Sequence, residues 1–332
     1  MISVAASGNG KTGFSAAGGG HWEARMARKA VGGESDCGDR SDEPVVFVLG
    51  GRNLLSLALV HVLRTRGLEV QMLDEDGGLF DRRELRRRLR SERPSYVINT
   101  LAYRGVEQAE LEPERAFRLN RDFPALLAGV VRDLGGILVS FSTDLVFDGR
   151  KQAPYRPEDL PRPASVFARS KLAGEQEIER SGLQRWLIIR TSCLFGPWDT
   201  NFVHRMIQRA QCTSVIPMVH DQICSPTYTL DLAGYTLRLL QSGATGVYHI
   251  CNSGEASWCE LAAEALSTAG SSSRVMPVTR LEQEGIGSGL PRYSVLDVDK
   301  YFRTTRQKPR PWLQALKEYL YCYESDKLHA EI

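Results

Sequence analysis

From residue 45 the chain runs through short apolar stretches separated by segments with a helical period. "VVFVLG" (45–50) is apolar without a break, the pattern of a parallel strand buried on both faces. "NLLSLALVHVLRTRG" then repeats apolar positions every three or four residues and stops at Gly67, which predicts a helix. "LEVQMLD", "SYVINTLA", "GGILVSFSTD" and "RWLIIRTS" predict further strands. "FDRRELRRRLRSE", a stretch near Glu112 to Arg132 and "SVFARSKLAGEQ" predict the helices between them. Strands alternating with helices call for a parallel sheet with right-handed crossovers. The expected fold class is α/β, a Rossmann-like doubly wound parallel sheet whose ligand lies at the strand C-termini.

Beyond Cys193 the pattern is less regular, with helices expected near Phe202–Ala210, Leu230–Leu240, Trp258–Ala269 and Pro311–Tyr321. Three regions are expected. Residues 1–43, rich in Gly, Ser and Ala without a sustained apolar period, read as a disordered extension. Residues 44–192 form the dinucleotide-binding part. Residues 193–325 form a smaller C-terminal substrate-binding cap, interleaved with the sheet. "GNGKTG" in the extension imitates a phosphate loop, but Ala5 stands where that loop needs glycine and no strand precedes it.

Composition narrows the function classes. A net charge of +2 creates no field that would favour nucleic acid or an anionic membrane. The arginine run Arg82 to Arg90 carries Leu79, Leu85 and Leu89 on one stripe, so it reads as a solvated helix face. The 7 cysteines are scattered, with no metal-ligand spacing among them or the 6 histidines, so no metal is expected. Their odd count fits a reducing, cytoplasmic setting. No apolar run approaches the roughly 20 residues of a membrane-spanning helix.

The candidate chemistry sits where strands end. A dinucleotide turn of this kind wants glycine at three positions spaced by two; here they hold Gly50, Asn53 and Ser56. Asn53 tolerates left-handed backbone angles better than most residues and can cap the helix. Arg52, Leu54 and Leu55 complete the turn, and Leu101 and Ala102 end the neighbouring strand, so these are the expected cofactor contacts. A plain strand-to-helix turn would look the same. Asp74 stands about 20 residues on, where a carboxylate bonds an adenosine ribose and favours NAD. Arg52 is placed to attract the 2′-phosphate of NADP. Thr143 ends a strand, either presenting its hydroxyl to the cleft or capping the next turn. Phe167 and Lys171 are one helical turn apart and share a face.

"GILVSFSTDLVFDG", "APYRPEDLPRPASVFARSKLAGE", "IIRTSCLFG", "HDQICSPTY", "GVYHICNSG" and "LPRYSVLD" together resemble the dTDP-4-dehydrorhamnose reductase family of extended short-chain dehydrogenases. The resemblance runs from about Val45 to Tyr321. It implies hydride transfer from NADH or NADPH to C4 of a nucleotide-linked deoxyhexulose. It implies that Thr143 polarises the ketone, that Lys171 holds the nicotinamide ribose, and that Asp144, Cys193 and Asn201 meet the substrate. It also puts Phe167 where a tyrosine donates the proton, so Thr143, a water or Tyr103 must take over. Cys193 stands in place of an aromatic residue and Leu290 in place of a frequent arginine. The chain is also similar to the methionine adenosyltransferase β subunit. That likeness keeps a second reading open, a degenerate nucleotide-binding or regulatory subunit with a protein partner. A homodimer is equally open.

Overall fold

The computed structural model describes residues 45–73, 81–282 and 290–324. Asp74, Leu79 and the extension lie outside these residues. Strand β1 (Val45–Leu49) leads through helix α1 (Leu54–Thr65) to β2 (Glu69–Leu73), α2 (Arg82–Glu92) and β3 (Tyr96–Asn99). Two short helices follow, α3 (Val106–Leu111) and α4 (Pro113–Phe117), the second continuing through a π-helical turn at Arg118–Asp122 into α5 (Phe123–Leu134). Then come β4 (Ile137–Thr143), α6 (Val166–Arg180) and β5 (Trp186–Thr191). The remainder supplies α7 (Phe202–Ala210), α8 (Thr229–Gln241), β6 (Gly246–His249), α9 (Trp258–Thr268), α10 (Asp299–Thr305) and α11 (Trp312–Glu324).

The six strands form one parallel sheet in the order β6-β5-β4-β3-β1-β2. Side chains of a strand alternate between its faces, and β1 divides accordingly. Val46 and Val48 join Leu55, Leu59 and Leu63 of α1 and Leu232 and Leu239 of α8 in one core. Phe47 and Leu49 join Leu85 and Leu89 of α2 and Phe123, Leu127 and Val131 of α5 in the other. Burial on both faces is why these strands read as unbroken apolar runs rather than alternating ones. Leu85 and Leu89 are the buried residues of α2, so its arginines do face outward.

The part after Cys193 contributes to both the sheet, through β6 and α8, and a separate cluster. In that cluster Phe195, Tyr228, Leu261, Leu316 and Tyr319 are buried between α7, α9 and α11. Two-residue strand pairs, Leu194–Phe195 with Thr227–Tyr228 and Ile223–Cys224 with Ala256–Ser257, tie this cluster to the end of the sheet. Among the described residues no helix is long and apolar enough to cross a membrane.

Candidate functional site

β1 lies between β2 and β3, so the chain leaves the sheet centre in opposite directions there and a crevice opens at the strand ends. At that crevice Gly50 has φ +131°, and an added Cβ would lie 2.4 Å from Thr100 Oγ1 and 2.5 Å from the Leu101 nitrogen. Only glycine lets the two strand ends approach this closely. Asn53 does not use a left-handed conformation: its φ is −127°. It caps α1 instead. Its Oδ1 accepts from Leu55 N and Ser56 N, both at 3.1 Å, and its Nδ2 donates to Gly50 O at 2.9 Å. Ser56 Oγ accepts from Asn53 N at 2.9 Å, which closes a reciprocal capping box. The amides that a helix N-terminus offers an anion are thus partly occupied from within the chain.

A cleft of about 430 Å³ runs from this turn to the ends of β4 and β5. Asn53, Leu54, Leu55 and Ala102 line one end; Thr143, Asp144, Phe167, Lys171 and Cys193 line the rest. Of the other expected contacts, Gly50 and Leu101 meet each other behind the turn and Arg52 is exposed. Asn201 is spent elsewhere. It caps α7 by accepting from His204 N and donates to Gly196 O at 2.7 Å and Tyr319 Oη at 3.1 Å. It is not among the residues lining the cleft.

Lys171 and Phe167 reach the cleft from consecutive turns of α6. The helix is placed by Gly174, whose added Cβ would lie 2.0 Å from Asn120 O in the π-helical turn. Asn120 is tied in turn to Ser170 Oγ of α6 at 2.9 Å. Lys171 Nζ donates to Phe141 O of β4 at 2.6 Å. Burial pulls its ammonium down to about 8, against the opposing pull of the Glu175 carboxylate. Phe167 packs with Val166, Ala109 and Ala116, and Tyr103 touches that cluster. Tyr103 turns its hydroxyl away to Glu112 Oε2 at 3.2 Å, and burial and that carboxylate push the phenol up. It is not among the lining residues either.

Thr143 does both things its sequence position allowed. Its Oγ1 accepts from Leu145 N at 3.2 Å, capping a short turn, and lines the cleft. Asp144 is only 5% exposed, and burial raises its carboxyl despite three hydroxyls that favour the charge. Those are Thr143 (3.1 Å, on Oδ1), Ser192 (2.7 Å) and Ser294 (2.5 Å), the last two on Oδ2. Neither serine stands out in the sequence. "RTSCLFG" and "LPRYSVLD" contain them, but only the fold brings Ser294 across 150 residues to the strand end. Ser142 Oγ, Thr191 Oγ1 and Gln222 Nε2 are buried without partners among the described residues, and all three side chains line the cleft. Unpaired polar atoms of this kind mark a place for a hydroxyl-bearing ligand. Cys193 holds a left-handed φ of +42° at the same wall.

The family described as "RmlD substrate binding domain" matches residues 45–325. The spore coat polysaccharide biosynthesis protein SpsK of Bacillus subtilis (strain 168) is 35% identical over 276 residues, covering 83% of this chain and 96% of that protein. The dTDP-4-keto-6-deoxy-D-glucose reductase of Streptomyces niveus is 33% identical over 285 residues, covering 85% and 98%. Among solved structures, a dTDP-4-dehydrorhamnose reductase from Bacillus anthracis in complex with NADP superposes with a TM-score of 0.81. It is 29% identical and covers 84% of this chain and 99% of that one.

Proposed function

Because the chain belongs to the RmlD substrate binding domain family, we propose that it reduces the C4 ketone of a nucleotide-activated 4-keto-6-deoxy sugar, with NADPH or NADH as reductant. The observation that carries this reading is the convergence of Thr143 and Lys171 on one cleft that begins at the Gly50 turn. Relatives matched over nearly their whole length and named as reductases of such sugars support it.

The turn fits a dinucleotide at the cleft end lined by Asn53, Leu54, Leu55 and Ala102, which Gly50 allows by letting Thr100 and Leu101 pack closely beneath it. Leu54, Leu55, Ala102 and Lys171 would hold the cofactor, with Gly50 and Leu101 shaping the turn behind it and Arg52 at its exposed rim; when bound it supplies a hydride to the ketone carbon. The chain's own groups do the rest. Lys171, charged below about pH 8 and shielded from water, stabilises negative charge that develops on the ketone oxygen. Thr143 presents its hydroxyl to that oxygen. Ser142, Thr191 and Gln222 offer their unpaired polar atoms to the sugar hydroxyls. Phe167 contributes a dry apolar wall and no proton.

One observation favours the second reading, a nucleotide-binding or regulatory subunit without redox chemistry: Asn53 already occupies Leu55 N and Ser56 N. Calorimetric titration with NADPH and with NADH separates the two. Asn53→Gly frees both amides at a cost of a few tenths of a kcal/mol in capping. A hydrogen bond to a charged group contributes about 1.5–3 kcal/mol, so affinity should tighten by about tenfold or more. No binding by either form would overturn the reductase reading.

A further inference from the structure

The cleft lacks a phenol, yet it holds a buried acid in contact with the hydroxyl that faces the ketone. We propose that Asp144 carries the proton of this reduction and delivers it through Thr143. The inference rests on the reductase reading and adds to it the source of the proton.

The hydrogen-bond count is what points to a relay. A hydroxyl has one proton and two acceptor sites. Thr143 Oγ1 accepts from Leu145 N at 3.2 Å and donates to the ionised Asp144 Oδ1 at 3.1 Å. With Asp144 protonated on Oδ1 that second bond reverses, and the acid fills the second acceptor site of Thr143. The only proton of Thr143 is then directed outward, into the cleft that it lines. Ser192 and Ser294 both donate to Oδ2, so the proton is steered to Oδ1, the oxygen next to Thr143. Burial favours this neutral form and raises the carboxyl above its ordinary value.

The step balances without a further reagent. As the ketone carbon takes the hydride of the reduced nicotinamide, its oxygen becomes an alkoxide. The Thr143 O–H bond breaks and the product O–H bond forms. The Asp144 O–H bond breaks and Thr143 recovers its proton. The carboxylate left behind keeps the Ser192 and Ser294 donors, and water entering the emptied cleft reprotonates it. Asp144 acts through Thr143 rather than touching the ketone, so it is a positioning residue that also stores the proton.

The titratable groups facing Asp144 from other elements are the Cys224 and Cys251 thiols, with Cys193 hydrogen-bonded to Cys224. Cys224 and Cys251 are pushed up by their surroundings, Cys251 to about 12, so both stay neutral over the range in which the acid titrates. Lys171 and Arg104 are the cations among the residues lining the same cleft.

Asp144→Asn is the test. The amide can still accept from the two serines and donate to Thr143 Oγ1, so it orients Thr143 but transfers no proton. Steady-state assays with NADPH and dTDP-4-keto-6-deoxy-D-glucose should find kcat lower by about 10²-fold or more at an unchanged KM. The fall in kcat as pH rises through the carboxyl's titration should disappear. Combining Phe167→Tyr with Asp144→Asn should recover at least about tenfold, because the phenol restores a donor one turn from Lys171. An unchanged kcat and pH profile in Asp144→Asn overturns the proposal. Infrared spectroscopy of the unaltered protein needs no variant to fold: a protonated carboxyl should persist above the pH at which exposed carboxyls ionise, and its absence there overturns the proposal as well. If the unaltered protein binds NADPH but never turns over, the reductase reading itself has failed, a result distinct from either.

Discussion

Lys171→Met should leave a better-folded and nearly inactive protein. The folded environment pulls the ammonium from 10.5 to about 8. At 1.36 kcal/mol per pH unit that difference costs about 3 kcal/mol. Met fills the same buried space without a charge but leaves Phe141 O without the Nζ donor, a loss of about 1 kcal/mol. The net gain is about 2 kcal/mol at neutral pH, read from denaturant midpoints. Its pH dependence identifies the cause. Below about pH 8 lysine is charged in both states and the cost is fully present. Between about 8 and 10.5 the folded form sheds its proton while the unfolded chain keeps it, so the unaltered protein gains stability as pH rises. The advantage of the Met variant should fade over the same interval. Turnover should fall by about 10²-fold or more, because the cleft loses the charge that faces the developing alkoxide. A Met variant that is less stable at pH 7 would contradict this role for Lys171.

Gly174→Ala should damage stability and catalysis together. A Cβ there would lie 2.0 Å from Asn120 O, a backbone atom with no flexible end to move aside. α6 must shift away from the π-helical turn, at a cost of about 1–3 kcal/mol or more. The same shift strains the bonds from Asn120 to Ser170 and from Lys171 to Phe141 O. Thermal unfolding should therefore move to a clearly lower temperature, and kcat should drop even where the protein remains folded. An alanine variant with unaltered melting and kcat would mean that α6 is not held where the structure has it.

β1, β3, β4 and β5 could be read directly because each is buried on both faces of the sheet, and β2, half-buried at the edge, because Val70, Met72 and Leu73 still follow a Gly stop. β6 mixes Gly246 and His249 with only two apolar residues, and the two-residue pairs at the cleft are too short to leave a period. α10 escaped because polar and charged residues fill most of its seven positions. Within the site, Lys171 and Phe167 were legible because helical spacing is local, and Thr143 because it ends a strand. Ser192 and Ser294 were not, since their meaning arises only when distant segments meet on Asp144. Asn53 was legible as a cap. Nothing in the spacing revealed that its capping would take up two of the amides a pyrophosphate needs. Asn201 looked like a substrate contact and is instead committed to the start of α7 and to Tyr319. Asp74 lies outside the described residues, so the choice between NADH and NADPH is left to titration.

The most direct measurement is a stoichiometric turnover assay on the unaltered protein: NADPH and NADH consumption with dTDP-4-keto-6-deoxy-D-glucose, and product identification by mass and NMR. One cofactor should be oxidised per ketone reduced to an alcohol at C4, at a rate that falls as pH rises through the titration of Asp144. Cofactor binding without consumption, on either side of neutral pH, would contradict the reductase reading.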